Sequence, residues 1–466
     1  MKSQLLNIID KIENVNSKLF FKYKCLMMLQ ICIIGTSLIT PIFKGGNSYA
    51  IIVSVGCFIT LLQICMFITQ KSFTIFQLRK LYVILLNIIG VSFLLNGIYY
   101  SVLAYIIIGL VFSMLVPLNN LAFAASSPRK ILLAISTGIL ISFICFFILS
   151  ILVGPALGPD QYMSILVNPN LLGNYMIIVV SAGVYMLLEA NIEKKRYKIL
   201  VYVLISMAVV FTIYSNSRTS MIAISIQLIV VFSILILRNA IMKDKDNIIK
   251  LVKCTGFLVI LIVAIFFMMF FLLTDVKIAI VKSMPDIQIT KEYEEINLSD
   301  TLSRMSKRYM KGLNINNAEV DSSATDDKVD DQFTSGRKEI WKTYIDAVGI
   351  LGHKEEGRQI IEKNRSYQNT NAHNVYIQMA YSAGITAGIA MIMLMIVVAK
   401  DLITHIWRFI KYGIIYEGMT LMSCSAIGFA VVSLTSAGYM IYTYLPSTAF
   451  YLCLFTLSVR KRKEIC

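Results

Sequence analysis

An all-α bundle that crosses a membrane about twelve times is the fold this sequence predicts, and three observations predict it. Hydrophobic residues make up 57% of the 466-residue chain, and the mean hydropathy is +0.72. Apolar runs of about 20 residues recur along it, the length a helix needs to cross the hydrocarbon core. The runs do not alternate with period two. Because only helices or closed barrels satisfy the backbone in lipid, helices are expected.

Taken in order, the spans are expected at 25–43, 49–69, 81–97, 101–118, 131–153, 171–190, 199–214, 220–237, 254–273, 375–398, 416–436 and 441–459. A charged leader precedes the first run near Cys25 and further spans follow it, so no cleavable signal peptide is expected. The chain then divides into a transmembrane region of nine spans (1–273), a long extracytoplasmic loop (274–374) and a transmembrane region of three spans (375–466). With both termini placed in the cytoplasm, the inward segments carry 26 Lys/Arg, whereas the short outward loops carry only Lys44 and Arg218. The formal charge of +16 is therefore an orientation signal, aided by anionic headgroups, and not a nucleic-acid footprint. None of the nine cysteines falls in the long loop, so no disulfide framework and no Cys metal spacing is expected.

The long loop is the exceptional connection. Its 274–371 portion holds 15 Lys/Arg and 17 Asp/Glu and is nearly neutral. Residues 275–313 mix apolar and basic residues and suit short amphipathic helices on the outer surface. Residues 314–332 lack apolar periodicity and read as a flexible acidic linker, since the spacing and the Gly of an EF-hand are missing. Residues 335–349 return to helical spacing. Trp341, Tyr344, Ile345 and Val348 share a face, Thr334 or Ser335 can cap the start, and Gly349 can end the helix.

Within and beside that loop, a few residues can carry chemistry. Arg337 lies in the first turn of the loop helix, four residues before Trp341, so the two side chains are neighbours. A guanidinium at a helix N-terminus suits a phosphate, and stacking of Arg on Trp for packing alone is the equal alternative. His373 precedes an inward-running helix whose positive dipole end favours neutral imidazole, the form that accepts a proton. An interfacial His capping the helix beside Asn371 and Asn374 is the plainer reading. Arg218 opens another inward-running span, where either a bound anion or snorkelling explains it. Asn168-Pro169-Asn170 is an efficient helix start, Asn as cap with Pro at the first helical position, with sugar binding as the lesser alternative.

Absences narrow the class further. The sequence has no phosphate loop, no HExxH and no Gly-x-Ser-x-Gly. No Asp or Glu is expected in mid-span, and little sign of a broken helix is read, both of which argue against an ion-coupled transporter or a flippase for lipid-linked saccharides.

In order, ILVNPNLLGNY (165–175), YSNSRTSMIAI (214–224), TSGRKEIW (334–341) and AHNVYIQMAYSAGI (372–385) resemble the O-antigen ligase and polymerase family of bacterial membrane glycosyltransferases. The resemblance implies a helical bundle similar to the GT-C class with its active site at the outer face of the cytoplasmic membrane. It implies metal-independent transfer of an oligosaccharide from an undecaprenyl-diphosphate carrier to an acceptor glycan, alongside other polysaccharide-assembly proteins and without a cofactor. Carried over by position, Arg218 and Arg337 would bind the diphosphate and His373 would act as base on, or orient, the acceptor hydroxyl. Asn168, Asn170, Trp341, Asn374 and Arg365 would line the substrate site. Where the family has Gly-x-Gly after the Arg-Trp helix, this chain reads Gly349-Ile350-Leu351-Gly352-His353, which leaves the middle of the loop, with His353 and Arg358, unassigned. The Ile-, Lys- and Asn-rich composition tips the expectation toward a capsule, exopolysaccharide or O-antigen polymerase over a ligase.

Overall fold

The computed structural model describes residues 21–38, 48–67, 79–124, 127–152, 156–157, 162–164, 166, 168–190, 194–283, 337–355, 357–362, 365–369, 371–414, 416–438 and 442–458. Ten of its helices are long and apolar enough to cross a membrane: α1 (Phe21–Leu38), α2 (Ser48–Phe67), α3 (Lys80–Tyr100), α4 (Leu103–Ala124), α5 (Pro128–Leu152), α6 (Pro169–Leu188), α7 (Lys195–Ser215), α8 (Arg218–Ile241), α9 (Lys245–Ser283) and, after the short α10 (Arg337–Ile345) and α11 (Val375–Ala383), α12 (Ile385–Tyr412). Two shorter apolar helices, α13 (Met419–Ser433) and α14 (Leu445–Leu457), follow. The chain is a multi-pass all-α membrane bundle, with two small antiparallel hairpins, β1 (Ala156–Leu157) with β2 (Tyr162–Ser164) and β3 (Arg358–Glu362) with β4 (Arg365–Asn369).

Helix α6 is the axis of the bundle. Every residue from Leu172 to Tyr185 is buried, so this helix is apolar all round because protein surrounds it on all sides. It packs against α5, α7, α8 and α13. Helices α8 and α9 are the opposite case, exposing Ile222, Ile229, Val259, Ile260 and Val263 as a surface that only lipid would solvate. Gln227 ties three helices together inside the bundle: its Nε2 donates to the Cys424 carbonyl at 2.8 Å and to Ser181 Oγ at 3.2 Å, joining α8, α13 and α6.

One span departs from the sequence reading. The run 375–398 was expected as a single helix, but it breaks at Gly384 into α11 and α12. Gly384 has φ +94°, and a Cβ there would lie 1.9 Å from the Ile350 carbonyl oxygen. The turn 349–353 occupies the break: Ile385 N–H donates to the Gly349 carbonyl at 3.0 Å. From α3, Asn96 Nδ2 donates to the carbonyls of His353, at 3.1 Å, and Ser382. Backbone groups freed by the break are thus satisfied inside the protein, which is what tolerates a break in an apolar helical run. One broken helix thus stands where the sequence reading expects a continuous span.

The loop helix also shifts. α10 ends at Ile345, short of Gly349, and its buried face is Ile340 and Tyr344, with Trp341 half-buried and Ile345 exposed. Tyr344 meets the ring of Tyr381 edge-on at 4.7 Å, which seats α10 on α11. The acidic segment 314–332, the amphipathic stretch 284–313 and the candidate caps Thr334 and Ser335 lie outside the described residues.

Candidate functional site

Three helix N-termini, those of α6, α8 and α11, frame the site. Asn168 caps α6: its Oδ1 accepts the Asn170 N–H at 2.8 Å, with Pro169 at the first helical position. Ser217, the residue before α8, donates from Oγ to Asn170 Oδ1 at 3.0 Å, and Ser220 Oγ lies 3.0 Å from Ser217 Oγ and 3.5 Å from Asn174 Oδ1. Gly173 permits this approach, because a Cβ there would stand 2.3 Å from Ser220 Oγ. The NPN and SNSR segments, 45 residues apart in the chain, are therefore one structural unit, and Arg218 projects from it as an exposed cation at the first position of α8.

The second half of the site comes from the long loop. Arg337, half-buried, opens α10. Burial disfavours its protonated form, and the nearby charge of Arg218 acts in the same direction, opposed by Tyr444 at the start of α14. His373 sits at φ +49°, in the left-handed region, where its N–H donates to Asn371 Oδ1 at 3.0 Å. Asn374 next to it caps α11, its Oδ1 accepting the N–H groups of Tyr376 at 3.0 Å and Ile377 at 3.2 Å. Burial, and after it the charge of Arg337, push the His373 imidazole below its ordinary pKa, so it is neutral at pH 7.

The structure brings Arg218, Arg337 and His373 into one electrostatic neighbourhood, although 155 residues separate the first from the last. The backbone cap is supplied by Asn374, which leaves the His373 ring uncommitted to that duty. Asn168 and Asn170 have their carbonyl oxygens engaged in holding the two helix starts, so any ligand contact is left to their amide groups. Trp341 lies one turn beyond Arg337, and its Nε1–H is buried without a hydrogen-bond partner among the described residues. Arg365 falls on β4, paired in register with Glu362, and its side chain lies outside those described. Of the residues left unassigned by the sequence, His353 stacks on Tyr381 at 4.3 Å and its Nε2 lies 2.5 Å from the Ala347 carbonyl, a structural post for the turn at the helix break. Sequence reasoning missed Tyr444: a lone Tyr at the start of a span carries no motif, and only the fold places it where it acts on Arg337.

Two guanidiniums drawn together repel each other, and among the described residues the groups that set the protonation of Arg337 and His373 include no carboxylate. With three positive helix ends nearby, the arrangement can hold a multiply charged anion such as a diphosphate. Among the described residues no group of three or more His, Cys, Asp or Glu is placed to hold a metal ion.

Residues 200–392, which include Arg218, Arg337 and His373, match the family model described as O-antigen ligase. Neither a curated protein nor a solved structure matches the chain. Over residues 200–392 the chain is similar to the O-antigen ligase family.

Proposed function

We propose that this protein is a polysaccharide polymerase of the cytoplasmic membrane, with both termini inside. On this reading it transfers oligosaccharide repeat units from an undecaprenyl-diphosphate carrier to a growing acceptor glycan at the outer face. The observation that carries the reading is the meeting of Arg218, Arg337 and a neutral His373 at the mouth of three helix N-termini. Negative charge grows on the lipid diphosphate as the glycosidic bond breaks. Fixed guanidiniums and helix dipoles stabilise that charge, and no metal is needed for it. His373, held neutral, accepts the proton of the acceptor hydroxyl as it attacks the anomeric carbon. Trp341, with an unused N–H, and Asn374 flank the sugar, and the apolar faces of the bundle take the lipid tail.

Ligase-type transfer of a finished glycan to a different acceptor would use the same donor half of the site. Proteoliposomes carrying the purified protein and the lipid-linked repeat unit as sole glycan separate the two. A polymerase produces a ladder of chain lengths from this donor alone, whereas a ligase produces none until a second acceptor is added.

The ionisation of His373 sets a pH dependence. Its pKa is lowered, so the imidazole is still more than half neutral at the ordinary histidine value of about 6.5. The midpoint of the acid limb in transfer rate is therefore expected below the ordinary histidine value of about 6.5. A pH profile of donor consumption at saturating donor checks this, and an acid limb centred above about 6.5 would contradict the assigned base.

A further inference from the structure

At the end of the bundle opposite Arg218, helices α6, α8, α12 and α13 enclose a cleft of about 950 Å³ including its open mouth. Most of its wall is apolar, built by Val231, Leu235, Ile406, Phe409 and Met419. Two arginines reach it, Arg129 from the first turn of α5 and Arg238 from the last turn of α8. Arg238 is the unusual one. Its guanidinium lies 4.5 Å over the ring of Phe409, yet its Nε–H is buried and without a hydrogen-bond partner among the described residues. A buried charged donor left unmade is costly, so a partner oxygen is expected.

The carboxylates on the wall do not meet that need. Glu189 spends both oxygens on the start of α13, accepting the Gly418 N–H at 2.7 Å and the Thr420 N–H at 2.6 Å. Burial pushes its carboxyl above the usual carboxylate range, against the pull of those N–H groups, so its negative charge is weakened as a counter-ion. Glu417 is the other acidic group on the wall.

We propose that this cleft is a binding site for an anionic phospholipid, its phosphate on Arg238 and Arg129 and the first part of an acyl chain against Val231, Leu235 and Phe409. The site sits at the ends of the spans, where a headgroup lies. The same end carries Lys194, Lys195 and Arg196 at the start of α7 and Lys243 and Lys245 between α8 and α9, a basic surface that concentrates anionic lipid. A mainly apolar wall with a guanidinium at its edge matches a molecule that is apolar along its length and charged at one end, and matches a free phosphate poorly.

The test uses the full-length protein in detergent, melted with added phosphatidylglycerol, phosphatidylcholine or inorganic phosphate. Phosphatidylglycerol is expected to raise the melting temperature of the wild type, and the other two are not. Arg238→Gln should weaken the phosphatidylglycerol titration about tenfold, the loss expected on removing a charge-assisted hydrogen bond. Arg238→Lys should retain most of it, and Leu235→Trp, which fills the cleft without touching its charges, should abolish it. The proposal is overturned if phosphatidylglycerol does not stabilise the wild type, if inorganic phosphate or phosphatidylcholine stabilises it equally, or if neither Arg238→Gln nor Leu235→Trp weakens the effect.

Discussion

Arg337→Ala is expected to lower glycan transfer by about 100-fold or more while the protein remains folded in the membrane. Arg337 is half-buried beside Arg218, so its charge acts on a bound anion with little solvent between. That charge matters more as the leaving diphosphate gains negative charge, so the loss falls on the rate of transfer and less on donor binding. Arg337→Lys separates charge from geometry. The ammonium keeps the charge but not the two-pronged donation a phosphate accepts, and intermediate activity is expected. His373→Ala should lower transfer by a similar factor, because general-base assistance is worth about 10²–10⁴. In cells both variants should accumulate single repeat units on the lipid and lose long-chain polymer, read directly from the length distribution on a gel. Normal chain length in both would sink the assignment of this site. A scaffold that merely anchors other envelope proteins would tolerate both changes.

How far this site could be read from sequence differs between its parts. The helix starts were legible: Asn168-Pro169 and Asn374 are local caps, and each accepts the expected N–H groups. The bundle was legible because hydrocarbon imposes a length and a composition on each span. The break at Gly384 was not. Apolar periodicity runs unbroken through Ala383-Gly384-Ile385, and an isolated Gly in a helical run is usually tolerated. What breaks the helix is tertiary, a turn from residues 349–353 that needs the space a Cβ would fill. The buried face of α10 is legible only in part, Tyr344 being buried as the spacing marks it and Ile345 exposed against it, for the same reason. Spacing marked Trp341, Tyr344, Ile345 and Val348, but the face buried is the one that meets Tyr381, and that partner is 37 residues beyond Tyr344 in the chain. Short-range pattern locates elements, whereas the neighbour each one meets decides which of its faces is used.

The Gly384 break makes a second large prediction, this time on stability. In Gly384→Ala the methyl group would stand 1.9 Å from the Ile350 carbonyl oxygen, at a φ of +94° that L-residues rarely adopt. Backbone strain of this kind costs about 1–3 kcal/mol, and steric overlap with backbone that cannot rotate away adds about 1–3 kcal/mol. The turn 349–353 must then leave the break, which exposes the Ile385 N–H and loosens its seat beside Asn96. Gly349→Ala provides the control, since its nearest neighbour would be 4.0 Å away and its φ is ordinary, so a change under about 0.5 kcal/mol is expected. Melting of the two purified variants by loss of the monodisperse peak in detergent tests this, and equal melting temperatures would refute the account of the break. Activity should fall with stability in Gly384→Ala, for a mechanical reason. α11 carries Asn374 at its start and Gly384 at its end, and α10 rests on its Tyr381. A helix of nine residues pinned at both ends holds His373 and Arg337 in one relative position, and releasing the far pin frees both.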